Sequence, residues 1–290
     1  MKSKVQVVLV LALMAFTAIG TTSCKKRRGG GGGGTPDVVD PSNADDLSQV
    51  VVIPGSNRVS GQPPAPSDNN PDQPIVSNSQ SSASSTADNT LYLPFNFETR
   101  GTGAGYAGCY VQIDGASDYF DIPDGDGTQT DGLIVIPFPI PSNVGTGNFC
   151  VNYCIYDNAG LVSNILSTCV TIEEPVNCPA SASGSDGLTI FTVNLGSDPG
   201  NVSVTYDTYS VEDRVDVFYD GTWIGGTGSS LSPGEFPPVS NCGDGQDGYV
   251  GESNTINFQY NGSGSGRLDV YMSGCIGGST AWDVNVSCPQ

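Results

Sequence analysis

Carboxylates carry most of the chemistry open to this chain. Residues 118–132 read DYFDIPDGDGTQTDG, with aspartates at Asp118, Asp121, Asp124, Asp126 and Asp131. Oxygen ligands alternating with glycine can wrap a loop around calcium, which takes carboxylate and carbonyl oxygens. The twelve-residue calcium-loop register does not fit, however. Counted from the Asp–Gly pair, Ile122 occupies the first ligand position and Leu133 the last. A solvated loop between strands is the plain alternative. Calcium on these five aspartates is the one cofactor the sequence nominates.

A second group, Asp207, Asp213, Asp216 and Asp220, surrounds Arg214. Strand alternation turns Val215, Val217 and Tyr219 inward and leaves Asp216 and Asp220 outside. That predicts a surface ion pair worth about 1 kcal/mol or less, with Asp207 and Asp213 as candidate ligand residues. Paired carboxylates also meet the minimum for glycoside hydrolysis. The pairs Glu212–Asp213 and Glu173–Glu174 are adjacent, so on a strand they point to opposite faces, and we expect no enzyme. Sugar binding would want exposed rings. Trp223, just after the Asp220–Gly221 turn, is the candidate, with Tyr249 as companion; Trp282 alternates with Val284 and Val286 and is expected in the core.

What the chain lacks narrows its chemistry further. It has no histidine, and its last lysine is Lys26. The commonest general base and the Schiff-base nucleophile are therefore missing from the body. From Gly29 onward four arginines stand against thirty carboxylates, a net charge of −26. Nucleic-acid binding needs phosphate neutralised by cationic side chains, so that class of partner is excluded.

The amino terminus sets the compartment. Two lysines in Met1–Lys4 precede the apolar run VQVVLVLALMAFTAIG, which ends on small residues before Cys24. This layout is that of a secretory signal, too short for a comfortable membrane span. Residues 1–24 resemble the signal of a bacterial lipoprotein, which implies cleavage after residue 23 and lipidation of Cys24. Two or more acyl chains hold a protein stably at a bilayer, and Lys25, Lys26, Arg27 and Arg28 would sit at the headgroups. The implied location is the bacterial cell envelope, at the outer membrane, on its periplasmic face or at the cell surface.

Residues 24–89 then read as a disordered tether rich in glycine, proline, serine and aspartate, a composition that buries too little apolar surface to fold. The exception is QVVVIP at 49–54, either a strand for a partner's sheet edge or a lightly ordered piece of linker.

Beyond the tether, apolar residues alternate between Gly, Asp, Asn and Pro turns, which predicts strands. LYLPFNF places Leu91, Leu93, Phe95 and Phe97 on one face. The stretch FCVNYCIYDNAGLVSNILSTCVTI resembles the last two strands of bacterial immunoglobulin-like domains through Val151, Tyr153, Asp157, Gly160 and Ser163. We therefore expect an immunoglobulin-like β-sandwich over 90–175. From 176 to 290, seven or more short strands without helical period predict a sandwich or jelly roll. There YDTYSVEDRVDVFYDGTWIGGTG and GSTAWDVNVSCP resemble a C-terminal β-sandwich module of secreted bacterial proteins.

Eight cysteines remain after Cys24, an even number that in an exported chain predicts disulfides. Zinc would need closer spacing. An odd hairpin loop puts Cys150 opposite Cys169, after which Cys109 takes Cys154; 109–150 with 154–169 is the alternative. Cys178 with Cys288 would frame the second domain, with Cys242–Cys275 inside it. The expectation is an all-β, lipid-anchored envelope protein displaying two disulfide-containing sandwiches for binding or adhesion, with a carbohydrate-binding accessory of polysaccharide uptake or a structural component of an envelope complex as the alternatives. Its ligand would be an envelope or extracellular protein or a glycan.

Overall fold

The computed structural model describes residues 38–124, 127–232, 235 and 237–290. Cys24, the signal and the first part of the expected tether lie outside these residues, as does Asp126. The first domain contains helix α1 (Ala44–Val50) and strands β1 (Asn57–Ser60), β2 (Ile75–Ser77), β3 (Ser82–Thr86), β4 (Thr90–Glu98), β5 (Tyr106–Ile113), β6 (Asp118–Pro123), β7 (Asp131–Pro139), β8 (Gly147–Asp157) and β9 (Leu166–Glu173). They form a six-stranded sheet in the order β1-β6-β5-β8-β9-β3 and a three-stranded sheet in the order β2-β4-β7. Period-two alternation supplies the core between them. Leu91, Leu93 and Phe95 of β4 and Ile136 and Phe138 of β7 meet Val111, Val151 and Ile155 of the larger sheet, all buried.

Residues 38–89 correct the expected tether: they belong to this domain. Asn43 caps α1, accepting the Asp46 N–H, and Asp45 and Asp46 suit the positive end of the helix. Leu47, Val51 and Ile53 are buried in the core, so QVVVIP is neither loose linker nor a free strand: it covers this chain's own sandwich. β1 pairs antiparallel with β6, and β3 pairs parallel with β9. Both are poor in apolar residues. Backbone ladders at two existing sheet edges supply the order their side chains cannot.

The second domain comprises β10 (Val176–Asn177), β11 (Ala180–Gly184), β12 (Gly187–Asn194), β13 (Gly200–Asp207), β14 (Asp213–Tyr219), β15 (Thr222–Gly226), β16 (Ser253–Tyr260), β17 (Arg267–Gly274) and β18 (Trp282–Val286). A five-stranded sheet, β10-β12-β17-β14-β15, lies against a four-stranded one, β11-β18-β13-β16. Val204, Val215, Val217, Val270, Met272, Trp282 and Val284 fill the space between. Among the described residues the fold is all-β apart from α1, and no helix there is long and apolar enough to cross a membrane.

Three disulfides close within the domains: Cys150–Cys169 between β8 and β9, Cys178–Cys288 and Cys242–Cys275. The expected Cys109–Cys154 bond does not form, and both thiols are free and buried. Cys109 stands opposite Ile155, and Cys154 opposite Tyr110. A one-residue offset on paired strands sends side chains to opposite faces. Cys109 therefore points into the core, and Cys154 lies on the outer face.

The domains share a packed interface. The outer face of the three-stranded sheet carries Tyr92, Leu133 and Val135, which pack on Val239 and Ile276 of the second domain. Gln80 Oε1 accepts the Leu188 N–H at 2.7 Å, Asn96 Nδ2 donates to Asn241 Oδ1 at 2.7 Å, and the Thr86 and Thr192 hydroxyls meet at 3.0 Å.

A candidate ligand-binding cleft between the domains

Alternation along β17 makes one strand serve two purposes. Leu268, Val270 and Met272 face the core, and Arg267, Asp269 and Tyr271 face the other way, toward the first domain. Phe218 of β14 stands opposite Asp269, and its ring lies 4.9 Å from that of Tyr271. Across from them are Asp88, Asn89, Thr90 and Tyr92 at the start of β4. Together with Asp220, Gly221, Glu235 and Ser265 they border a cleft of about 520 Å³.

Its polar groups are held in place. Arg267 Nε donates to both Asp269 oxygens, at 3.1 and 2.9 Å, and Thr192 Oγ1 donates to Oδ1 at 2.6 Å. Asp220 accepts from the backbone N–H and hydroxyl of Ser265, and Glu235 from the Ser232 N–H. Burial pushes the Tyr92 phenol up to about 12 and that of Tyr271 upward as well, so each remains a neutral group that both donates and accepts. The cleft thus combines half-buried rings, carboxylate acceptors and a guanidinium. That combination suits a ligand with apolar C–H faces and many hydroxyls.

The residues expected from sequence lie elsewhere, and they are not gathered. Asp118 and Asp121 are both on β6 and differ in their surroundings. Asp118 is buried against α1, accepting from Ser48 Oγ and from Gln49 Nε2 at 3.1 Å, with Arg58 Nε at 3.7 Å. Asp121 is on the outer face, where Tyr156 donates to it at 3.0 Å. Asp124 follows the strand, and Asp131 is exposed opposite Glu98. Among the described residues no three of Asp, Glu, Cys or His stand close enough to share a metal.

In the second domain the expected surface ion pair is buried. Arg214 and Asp216 do face away from the core, but Gly228, Ser229, Asp247 and Gly248 cover Arg214. Arg214 Nη2 donates to Ser229 O and Nη1 to Asp247 O, while Trp223 Nε1 donates to Asp216 Oδ1 at 2.8 Å. Trp223 is thus half-buried and engaged, and Tyr249 donates to Pro238 O at 2.9 Å. Asp213 is fully buried, accepting from Thr280 Oγ1 at 2.6 Å and the Cys275 N–H at 3.2 Å. Asp207 accepts the Tyr209 N–H, a local turn. None of Trp223, Tyr249, Asp213 and Asp207 borders the cleft.

Sequence reasoning missed Tyr92, Phe218, Arg267, Asp269 and Tyr271. The available signal was Arg-x-Asp-x-Tyr, three large polar or aromatic side chains on the face of a strand whose other face is apolar.

No protein-family model matches the chain, and no curated protein matches it in sequence. Among solved structures it is similar to chitinase ChiA74 from Bacillus thuringiensis, at 13% identity and a TM-score of 0.21, over 70% of this chain and 27% of that one. A second is the mixed-linkage glucan utilization locus protein SGBP-B of Bacteroides ovatus, in complex with a mixed-linkage heptasaccharide (9% identity, TM-score 0.18, 85% and 71% covered). A third is the insecticidal δ-endotoxin Cry8Ea1 from Bacillus thuringiensis (10%, 0.19, 68% and 48%). The chain spans about a quarter of the chitinase's length and about half of the endotoxin's. Scores this low carry no argument about fold or function.

Proposed function

We propose that this is a non-catalytic, lipid-anchored binding protein of a bacterial cell envelope, and that its ligand is a neutral polysaccharide taken into the interdomain cleft. The observation that supports it is the cleft's lining: Tyr92 and Tyr271 for the C–H faces of sugar rings, and Arg267, Asp269 and Asp220 for their hydroxyls. Each of the carboxylates Asp220, Glu235 and Asp269 is already engaged by a donor of this chain. Such groups suit fixed acceptors better than an acid and base that must exchange protons. The net charge of the body, −26, disfavours anionic glycans. Anchoring rests on the lipoprotein-like signal ending at Cys24.

A glycan array followed by titration calorimetry tests the binding. We expect a neutral polysaccharide to bind, with Tyr271→Ala and Arg267→Ala each weakening it roughly tenfold, about 1.4 kcal/mol, and Trp223→Ala leaving it unchanged. Silence across neutral polysaccharides, or binding indifferent to both cleft substitutions, would overturn the reading. Incorporation of an alkyne-labelled fatty acid that disappears in Cys24→Ser tests the anchor.

A further inference from the structure

Half of the apolar stretch QVVVIP is not used by the core. Val51 and Ile53 are buried there, but Val50, the last residue of α1, is half-buried and Val52 is 71% exposed. With Pro139, Ile140 and Pro141 at the end of β7, these two side chains border an open hollow of about 280 Å³. Ile140 is buried and both prolines are half-buried, so the hollow has an aliphatic shelf.

The rest of its border is Asp88, Asn89 and Thr90, and the same three residues border the interdomain cleft. The two hollows therefore adjoin, with the connection between β3 and β4 as the saddle between them. That saddle is pinned: the Asp88 N–H donates to Ile140 O at 3.1 Å, and the Ile140 N–H donates to Asn89 O at 2.8 Å. Asn89 directs its amide to Thr86 Oγ1 at 3.0 Å and Thr192 Oγ1 at 3.4 Å. Asp88 and Thr90 are thus the hydrogen-bonding side chains left at the margin of the shelf. The cleft offers rings, carboxylates and a guanidinium; the shelf offers methyl and methylene groups.

We propose that the shelf is a second subsite of the cleft, and that it seats acetyl groups carried by the same neutral polysaccharide as the chain crosses Asp88–Thr90. This rests on the glycan reading of the cleft. A bare hydroxyl placed on Val50, Val52 and the prolines would lose water without gaining a partner, which is unfavourable. An acetyl ester removes that hydroxyl, adds no charge and brings a methyl group to an aliphatic surface. Burying one methyl-sized group strengthens binding roughly fourfold, from about 0.8 kcal/mol per CH₂. The preferred ligand is therefore an acetylated neutral chain that extends beyond the cleft.

The test uses the full chain and the neutral polysaccharide selected by the glycan array. That polymer is partially O-acetylated with acetic anhydride and compared with the same polymer after its esters are removed by mild alkali. In titration calorimetry we expect the acetylated form to bind at least about fourfold more tightly. Val52→Asp, at an exposed position, should fold normally, abolish this preference and leave the affinity for the deacetylated form unchanged. Val52→Ile should retain the preference. Tyr271→Ala should weaken both forms by the same factor. Equal affinity for the two forms in the wild type, or a preference that survives Val52→Asp, would overturn the proposal and mean that something else covers the shelf. The cleft reading would stand in that case so long as Tyr271→Ala weakens binding. Silence toward every form of every neutral polysaccharide would overturn both.

Discussion

Arg214 and Asp216, two residues apart on β14, form a bidentate ion pair with side chains 1% and 0% exposed. Nε donates to Oδ2 at 2.7 Å and Nη2 to Oδ1 at 3.1 Å. Removing one partner leaves the other charge buried and unpaired, which typically costs about 3–5 kcal/mol. Arg214→Met should therefore lower the unfolding free energy by about that much in urea titrations. Trp223 fluorescence should report the change, since its indole donates to Asp216. A loss below about 1 kcal/mol would mean the pair behaves as a surface bridge.

Asp213 gives the second domain a pH-dependent term. Burial pushes its carboxyl up to about 6, opposed by the Thr280 and Cys275 donors. The folded chain thus holds this proton more tightly than the unfolded chain, whose aspartates titrate near 3.9. The resulting stabilisation is complete below the unfolded value and is lost as pH rises through about 6. The urea midpoint of wild type relative to Asp213→Asn should therefore fall between about pH 4.5 and about pH 7.5. A parallel pH profile in the two proteins would remove Asp213 from the explanation.

Cys109 and Cys154 should be unreactive in the folded protein. Burial pushes both thiols up to about 12, leaving little thiolate at neutral pH. Peptide mapping after iodoacetamide should find neither alkylated in buffer and both alkylated in denaturant without reductant. A peptide joining them under non-reducing conditions would contradict the β5–β8 register.

The domain interface should act as a clamp on the cleft. Val135 is 5% exposed and packs on Val239 and Ile276. Val135→Asp would bury an unpaired charge there. We expect faster limited proteolysis at the Glu173–Val176 connection and weaker cleft binding, with the second domain still folded by circular dichroism.

Much of this fold was legible because alternation is a local property. LYLPFNF announces its buried face, whereas the partner of Cys150 stayed open between Cys169 and Cys109 until the hairpin register was known. The failures come from long-range geometry. The β5–β8 ladder shifts register between Tyr106 and Gly108, and such an offset, invisible in sequence, decides whether Cys109 and Cys154 share a face. Arg214 lies on the strand face that alternation assigns, yet Gly228, Ser229, Asp247 and Gly248 cover it. Residues 38–89 have the composition of a linker, and β1 and β3 owe their order to neighbours far along the chain. The cleft escaped notice for a related reason. Arg267 and Tyr271 have the pattern of ordinary outward residues, and only the packing of the first domain against the second turns their face into a wall of a cleft.

The bond between Cys178 and Cys288 spans 110 residues and encloses nearly the whole second domain. A protease that nicks any surface turn inside that span would produce two pieces still covalently joined, released from each other only by a reductant. In an oxidising milieu exposed to foreign hydrolases, such damage would not by itself shed the terminal module.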